Sequence, residues 1–135
     1  MIKFLKKIFK VHSPSKEWPK IDVSKKPKFK IIAVDFDGTL STNEWPGIGK
    51  PNIGLIVYLI WMRWLGVKVI LWTCRSGEYL DQAVEFCKEH GLEFDAINEN
   101  LPEIIEHMGG DTRKIYADIY IDDKSNTHFK LPYKE

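Results

Sequence analysis

Asp35 and Asp37 stand two residues apart at the end of the apolar run Ile31-Ile32-Ala33-Val34. In extended chain, residues i and i+2 point to the same side, so both carboxylates can face one pocket. Gly38 follows and lets the chain turn sharply without a Cβ near a ligand. Thr39 comes next. A second acidic pair, Asp122 and Asp123, ends another apolar run, and Thr73 and Arg75 follow a third. Four acids gathered at the ends of two buried strands repel one another. A hard divalent cation with oxygen ligands relieves that repulsion, and Mg²⁺ is the one expected. The plainer alternative is a set of solvated loop acids or helix caps.

The elements that must position these residues follow from periodicity. Ile31–Val34 is a short, wholly apolar run, as in a strand buried on both faces of a parallel sheet. Residues 41–51 read as loop. Asn52 is a candidate cap for a helix running to about Leu65, which Gly66 ends. Val67–Trp72 reads as a second strand. A helix with Leu80, Ala83, Val84 and Cys87 on one stripe stops at Gly91. Leu92–Ile97 reads as a third strand, 101–108 as a short helix, and Ile115–Ile121 as a fourth strand. Strands alternating with helices predict an α/β fold with a parallel sheet. Ligands bind such sheets beyond the carboxyl ends of the strands. Asp35/Asp37, Thr73/Arg75 and Asp122/Asp123 all fall at such ends, which points to one active site.

Asp35-Phe36-Asp37-Gly38-Thr39 resembles the first signature motif of the haloacid dehalogenase superfamily, the Mg²⁺-dependent aspartyl-phosphate phosphatases. Thr73 stands where the second motif would, and Asp122-Asp123 where the fourth would. The resemblance spans roughly residues 29–125. Leu71-Trp72-Thr73-Cys74-Arg75 and Tyr120-Ile121-Asp122-Asp123-Lys124 most resemble small, capless bacterial and phage phosphatases. It implies a Rossmann-like three-layer sandwich with a mostly parallel sheet and a minimal cap or none. Asp35 would be the nucleophile and needs no activating base, since a carboxylate is ionised at neutral pH. Asp37 would be general acid, then base. Mg²⁺ would sit on the Asp35 carboxylate, the Asp37 carbonyl, and Asp122 or Asp123. Thr73 would hydrogen-bond a phosphoryl oxygen, with Gly38 and Thr39 beside the bound phosphate. Lys114 best fits the third-motif cation, with Arg113 as competitor. Arg75 would clamp phosphate through two parallel bonds or pair with Glu78.

The sequence departs from the larger members of that superfamily. About a dozen loop residues separate Thr39 from the first helix, and no insertion follows, so an open site is expected. Such a site suits a phosphate on an extended substrate, such as a nucleotide or nucleic-acid end. Gly47-Ile48-Gly49-Lys50 lacks the upstream glycine of a phosphate loop and reads as a turn. Trp45, Trp61, Trp64 and Trp72 read as core or rim rather than a base-stacking platform.

The bulk composition sets the frame. The chain of 135 residues is 44% hydrophobic and 29% charged, enough for one domain with a sizeable core. Collagen, a disulfide scaffold and full disorder are excluded. Cys74 and Cys87 lie in stretches that read as buried, which fits a reduced, cytoplasmic protein. No Cys/His cluster has zinc spacing. Lysines interrupt residues 1–10, so there is no secretory signal, and Arg63 breaks the longest apolar run short of a membrane span. The net charge of +1 hides an asymmetry: residues 1–30 carry ten lysines against Glu17 and Asp22. Residues 1–28 read as a basic amphipathic helix and a Pro/Lys-rich linker, and 29–135 as the domain. Partners expected for the arm are nucleic acid, an anionic membrane surface or an acidic protein. The rival to an enzyme is a catalytically silent scaffold or adaptor that docks through this arm.

Overall fold

The computed structural model describes Val11, His12 and residues 24–125. Over residues 24–125 four strands and three helices alternate: β1 (Ile31–Val34), α1 (Ile53–Trp64), β2 (Lys68–Leu71), α2 (Gly77–Glu89), β3 (Ala96–Ile97), α3 (Pro102–Met108) and β4 (Ile119–Ile121). The sheet runs β3-β2-β1-β4, with every described pairing parallel. This is the expected α/β architecture.

The wholly apolar β1 lies between β2 and β4 and is buried along its length. Ile32 and Val34 join Val69 and Leu71, and beneath them Ile56, Leu59 and Met62 of α1 and Ala83 and Cys87 of α2. Ile31, Ala33 and Ile70 pack on the opposite face with Ala96, Leu101 and Ile115, and Ile104 of α3 lies against that cluster. Two helices on one face and one on the other make three layers. Each fully buried aliphatic side chain contributes about 1.5–3 kcal/mol, so this interior strand anchors both layers.

Register sets the site. Val34 lies opposite Leu71 on one side and Ile121 on the other, so β1, β2 and β4 end level. The Asp35 N–H donates to Ile121 O and the Trp72 N–H to Val34 O, both at 2.9 Å, carrying the ladder one residue further. Asp35, Thr73 and Asp122 therefore leave the sheet at one edge.

Two expected strands are shorter than their apolar runs. Only Ala96–Ile97 of residues 92–97 pairs as strand, and only Ile119–Ile121 of residues 115–121. Side chains take over the intervening backbone groups. The Asp95 carboxylate accepts from Val69 N at 2.8 Å and from Arg63 at 3.1 and 3.2 Å. Asp118 accepts from Lys30 N and Ile31 N, and the Tyr120 hydroxyl donates to Ile115 O while accepting from Ala117 N.

The helix expected over 1–10 lies outside the described residues, as does most of the linker. His12 is buried against the end of α2: its Nε2 lies 2.6 Å from His90 O and the two rings stack. Lys25, Lys26, Pro27 and Phe29 line a shallow cleft of about 220 Å³ with Tyr58, Met62 and Leu65 of the α1 region. Among the described residues no helix is long and apolar enough to cross a membrane.

Candidate functional site

Asp35, Asp122 and Asp123 converge at the level end of β1 and β4. One carboxylate oxygen from each lies within 4.8 Å of the others. Thr39 ties the group together: its hydroxyl donates to Asp35 Oδ2 at 3.4 Å and accepts from the Asp123 N–H at 3.0 Å. Asn52 holds Thr39 in turn, donating from Nδ2 to its carbonyl, while Asn52 Oδ1 caps α1 at Leu55 N. Gly38 sits at φ +79, a region unfavourable to side chains, and a Cβ there would overlap the Asp123 carboxylate. Glycine is required at this turn on both grounds.

Burial pushes the Asp35 carboxyl up to about 6. The charges of Asp122 and Asp123 and a hydrogen bond from Asp123 add to the rise, while the Phe36 backbone N–H opposes it. Among the described residues no lysine, arginine or histidine forms an ion pair with any of the three acids. Among the described residues the cluster is held in place by hydrogen bonds alone.

Asp37 faces a different partner. Its two oxygens accept from Arg75 Nε and Nη2, both at 2.8 Å. Arg75 is buried, and its remaining three N–H groups donate to backbone carbonyls: Pro46 at 3.1 Å, Tyr79 at 3.3 Å and Gly47 at 2.6 Å. Its guanidinium carbon lies 4.9 Å from the Phe36 ring centre and 5.0 Å from that of Trp45. An arginine has five donors, and all five are engaged. The expectation of a phosphate clamp or a Glu78 pair is thus corrected: Arg75 has no donor left to offer phosphate, and its acid is Asp37. The Asp37 carboxylate is likewise not among the three clustered acids. Among the described residues no backbone N–H donates to its carbonyl oxygen.

Thr73 leaves β2 beside Asp35. Its N–H donates to Asn98 Oδ1 at 2.8 Å, and its hydroxyl accepts from Arg75 N at 3.1 Å. Asn98, at φ 52, also donates to Arg75 O. Sequence reasoning missed this asparagine. Its signal was a side chain able to cap backbone groups, just past a strand end.

Lys114 is not brought to the carboxylates. Its Nζ lies over the Tyr120 ring at 5.6 Å and forms no ion pair with the clustered acids. Residues 111–118 run as loop, pinned by the Asn100 side chain to Asp111, Thr112 and Tyr116, rather than as strand. Arg113 is exposed on the same loop.

The segment 47–50, expected as a turn, is irregular loop that follows a turn at Trp45 and Pro46. Gly49 N donates to Ser41 Oγ and Lys50 N to Thr42 Oγ1, so those N–H groups are spent internally. A cleft of about 260 Å³ beside Gly38 and Thr39 is lined by Ser41, Thr42, Lys50, Pro51 and Asn52. Lys50 is a lysine on this cleft that spacing did not single out. Trp45, Trp64 and Trp72 are exposed, and Trp61 is half-buried against the core. Cys87 is buried and burial pushes its thiol up to about 12. Cys74, expected buried, is exposed because it lies on the loop after β2.

The fold and site together define an α/β protein with a parallel sheet and an acidic carboxyl edge. No family model and no curated protein matches the chain. Among solved structures it is similar to a conserved protein coded by a locus from Bacteroides thetaiotaomicron. The two are 43% identical with a TM-score of 0.63, over 70% of this chain and 76% of that one. At that identity and coverage the chain belongs to the same family as the Bacteroides protein.

Proposed function

We propose that the chain is a Mg²⁺-dependent phosphohydrolase of the haloacid dehalogenase type, cleaving phosphate monoesters through an aspartyl-phosphate. The observation that carries this reading is the meeting of Asp35 with Asp122 and Asp123, from opposite ends of the domain. The donor set suits Mg²⁺: hard carboxylate oxygens, no thiolate or imidazole, and no cation of the chain paired to them among the described residues. Asp35 with Asp122 or Asp123 would hold the ion. Once bound, it would supply the positive charge that lets a carboxylate approach an anionic phosphoryl group.

The chain's own residues do the rest. An Asp35 oxygen forms a bond to phosphorus as the ester P–O bond breaks. Asp37 gives a proton to the departing oxygen, and later takes one from the water that hydrolyses the aspartyl-phosphate. Each Asp37 oxygen keeps a second lone pair beside its Arg75 bond, so the pairing leaves room for that proton. Thr73 presents its hydroxyl proton to a phosphoryl oxygen. Lys50, on the cleft beside Gly38, is placed to meet an anionic substrate. The short loop between Thr39 and α1 suits a phosphate on a nucleotide or nucleic-acid end in the cytoplasm. The ten lysines of residues 1–30 would hold such a polyanion, an anionic membrane surface or an acidic protein.

Phosphate release from p-nitrophenyl phosphate, measured with Mg²⁺ and with chelator, tests the reading. Native protein is expected to turn over only with the metal. Asp35→Asn loses about 10⁴-fold or more, as expected for a nucleophile. Turnover that survives Asp35→Asn or chelation overturns it.

A further inference from the structure

We infer that Arg75 is a positioning residue that acts on turnover through Asp37, and that the loop segment from Trp45 to Gly47 is part of the same device. The inference rests on the phosphohydrolase reading above, and it concerns a residue that touches no substrate.

The geometry is complete in itself. Every N–H of the Arg75 guanidinium is used, two on Asp37 and three on carbonyls of Pro46, Gly47 and Tyr79. Two parallel bonds define the plane of a carboxylate as well as its distance. Asp37 is therefore held in one orientation, while Asp35, two residues earlier, is left to Asp122 and Asp123. The three carbonyls come from two separate segments, residues 46–47 and the first turn of α2. Trp45 covers one side of the guanidinium and rests on Tyr79, 5.2 Å between ring centres. Arg75 thus fastens Asp37 to the loop and to α2, and a shift of the loop moves the carboxylate.

A lysine cannot reproduce this. It is a point charge with three donors and no fork. Nor is a buried arginine needed merely to fill space, since apolar residues of similar volume often serve stability as well or better. A fork of five satisfied bonds at the edge of a candidate active site fits a demand for orientation.

The test is a double-mutant cycle on p-nitrophenyl phosphate turnover with Mg²⁺, using Arg75→Lys, Asp37→Asn and both together. Thermal unfolding reports that each variant is folded. Arg75→Lys is expected to lower kcat about tenfold or more with KM within about twofold of native. The double variant is expected to match Asp37→Asn alone, because a residue that acts through Asp37 has nothing left to act on. Trp45→Ala, altered at an exposed position, is expected to lower kcat in the same direction by less, and carries the cycle if Arg75→Lys does not fold. Unchanged kcat in Arg75→Lys, a loss carried by KM, or losses that multiply in the double variant would each overturn the inference while leaving the phosphohydrolase reading standing. A native chain inert on the ester overturns both.

Discussion

Two groups of carboxylates leave the same edge of the sheet and are treated in opposite ways. Asp37 is met by a buried arginine that satisfies both of its oxygens. Asp35, Asp122 and Asp123 are brought within 4.8 Å of one another with no cation of the chain paired to them among the described residues. One group is a finished ion pair. The other is a set of like charges in which burial first, and the charges of Asp122 and Asp123 after it, push the Asp35 carboxyl up to about 6. Among the described residues an arginine stands beside one acid, and no cation of the chain pairs with the other three.

The comparison can be broken at the ion pair first. Arg75→Met strips a half-buried carboxylate of its partner, and the loss is expected to fall below the roughly 3–5 kcal/mol of a fully buried pair. Urea unfolding should show it as a lower midpoint. Adding Asp37→Leu removes the orphaned charge and should restore much of the loss. A midpoint unchanged by Arg75→Met alone would mean that the pair is not the finished unit described here.

The next effect belongs to the acidic cluster. A ligand that binds only the folded state stabilises by about 2.7 kcal/mol at one hundred times its Kd. Mg²⁺ is therefore expected to raise the melting temperature of the native chain. Asp122→Asn with Asp123→Asn should abolish that rise, and Arg75→Lys should keep it. A rise that persists without the two aspartates would place the ion elsewhere.

The smallest effect is that of pH on the metal-free protein. The folded Asp35 carboxyl titrates at about 6 against an ordinary value of 3.8. The folded state therefore holds the proton more tightly. Asp35 contributes stability that is fully present below 3.8 and is lost as pH rises through about 6. In the presence of chelator, Asp35→Asn should melt higher than native at pH 7.5, and this advantage should shrink toward pH 4. A native chain that melts higher than Asp35→Asn at pH 7.5 without metal would sink the view of the cluster as uncompensated.

Much of the architecture was legible before any coordinates. The wholly apolar Ile31–Val34 read as a strand buried on both faces, and it is one of the two interior strands. Asn52 read as a cap and caps α1. The acids at strand ends read as one site, and three of the four meet. Strand lengths were not legible, because Asp95, Asp118 and Tyr120 satisfy backbone groups that an apolar run alone would assign to the ladder. Nor was the partner of Arg75. The nearby Glu78 was the obvious candidate by spacing, yet the chain folds so that Asp37, on a different strand end, receives both bonds.

The types and order of Asp35, Asp37, Gly38, Thr39, Thr73, Asp122 and Asp123, with the hydrophobic periods around them, determined the fold class and the edge where chemistry could occur. Only the tertiary structure decided which acid stands alone and which is paired. The reason is physical: a period of apolar residues dictates which face is buried. Whether a carboxylate there meets a guanidinium or two more carboxylates depends on which distant segments the parallel sheet brings level with it.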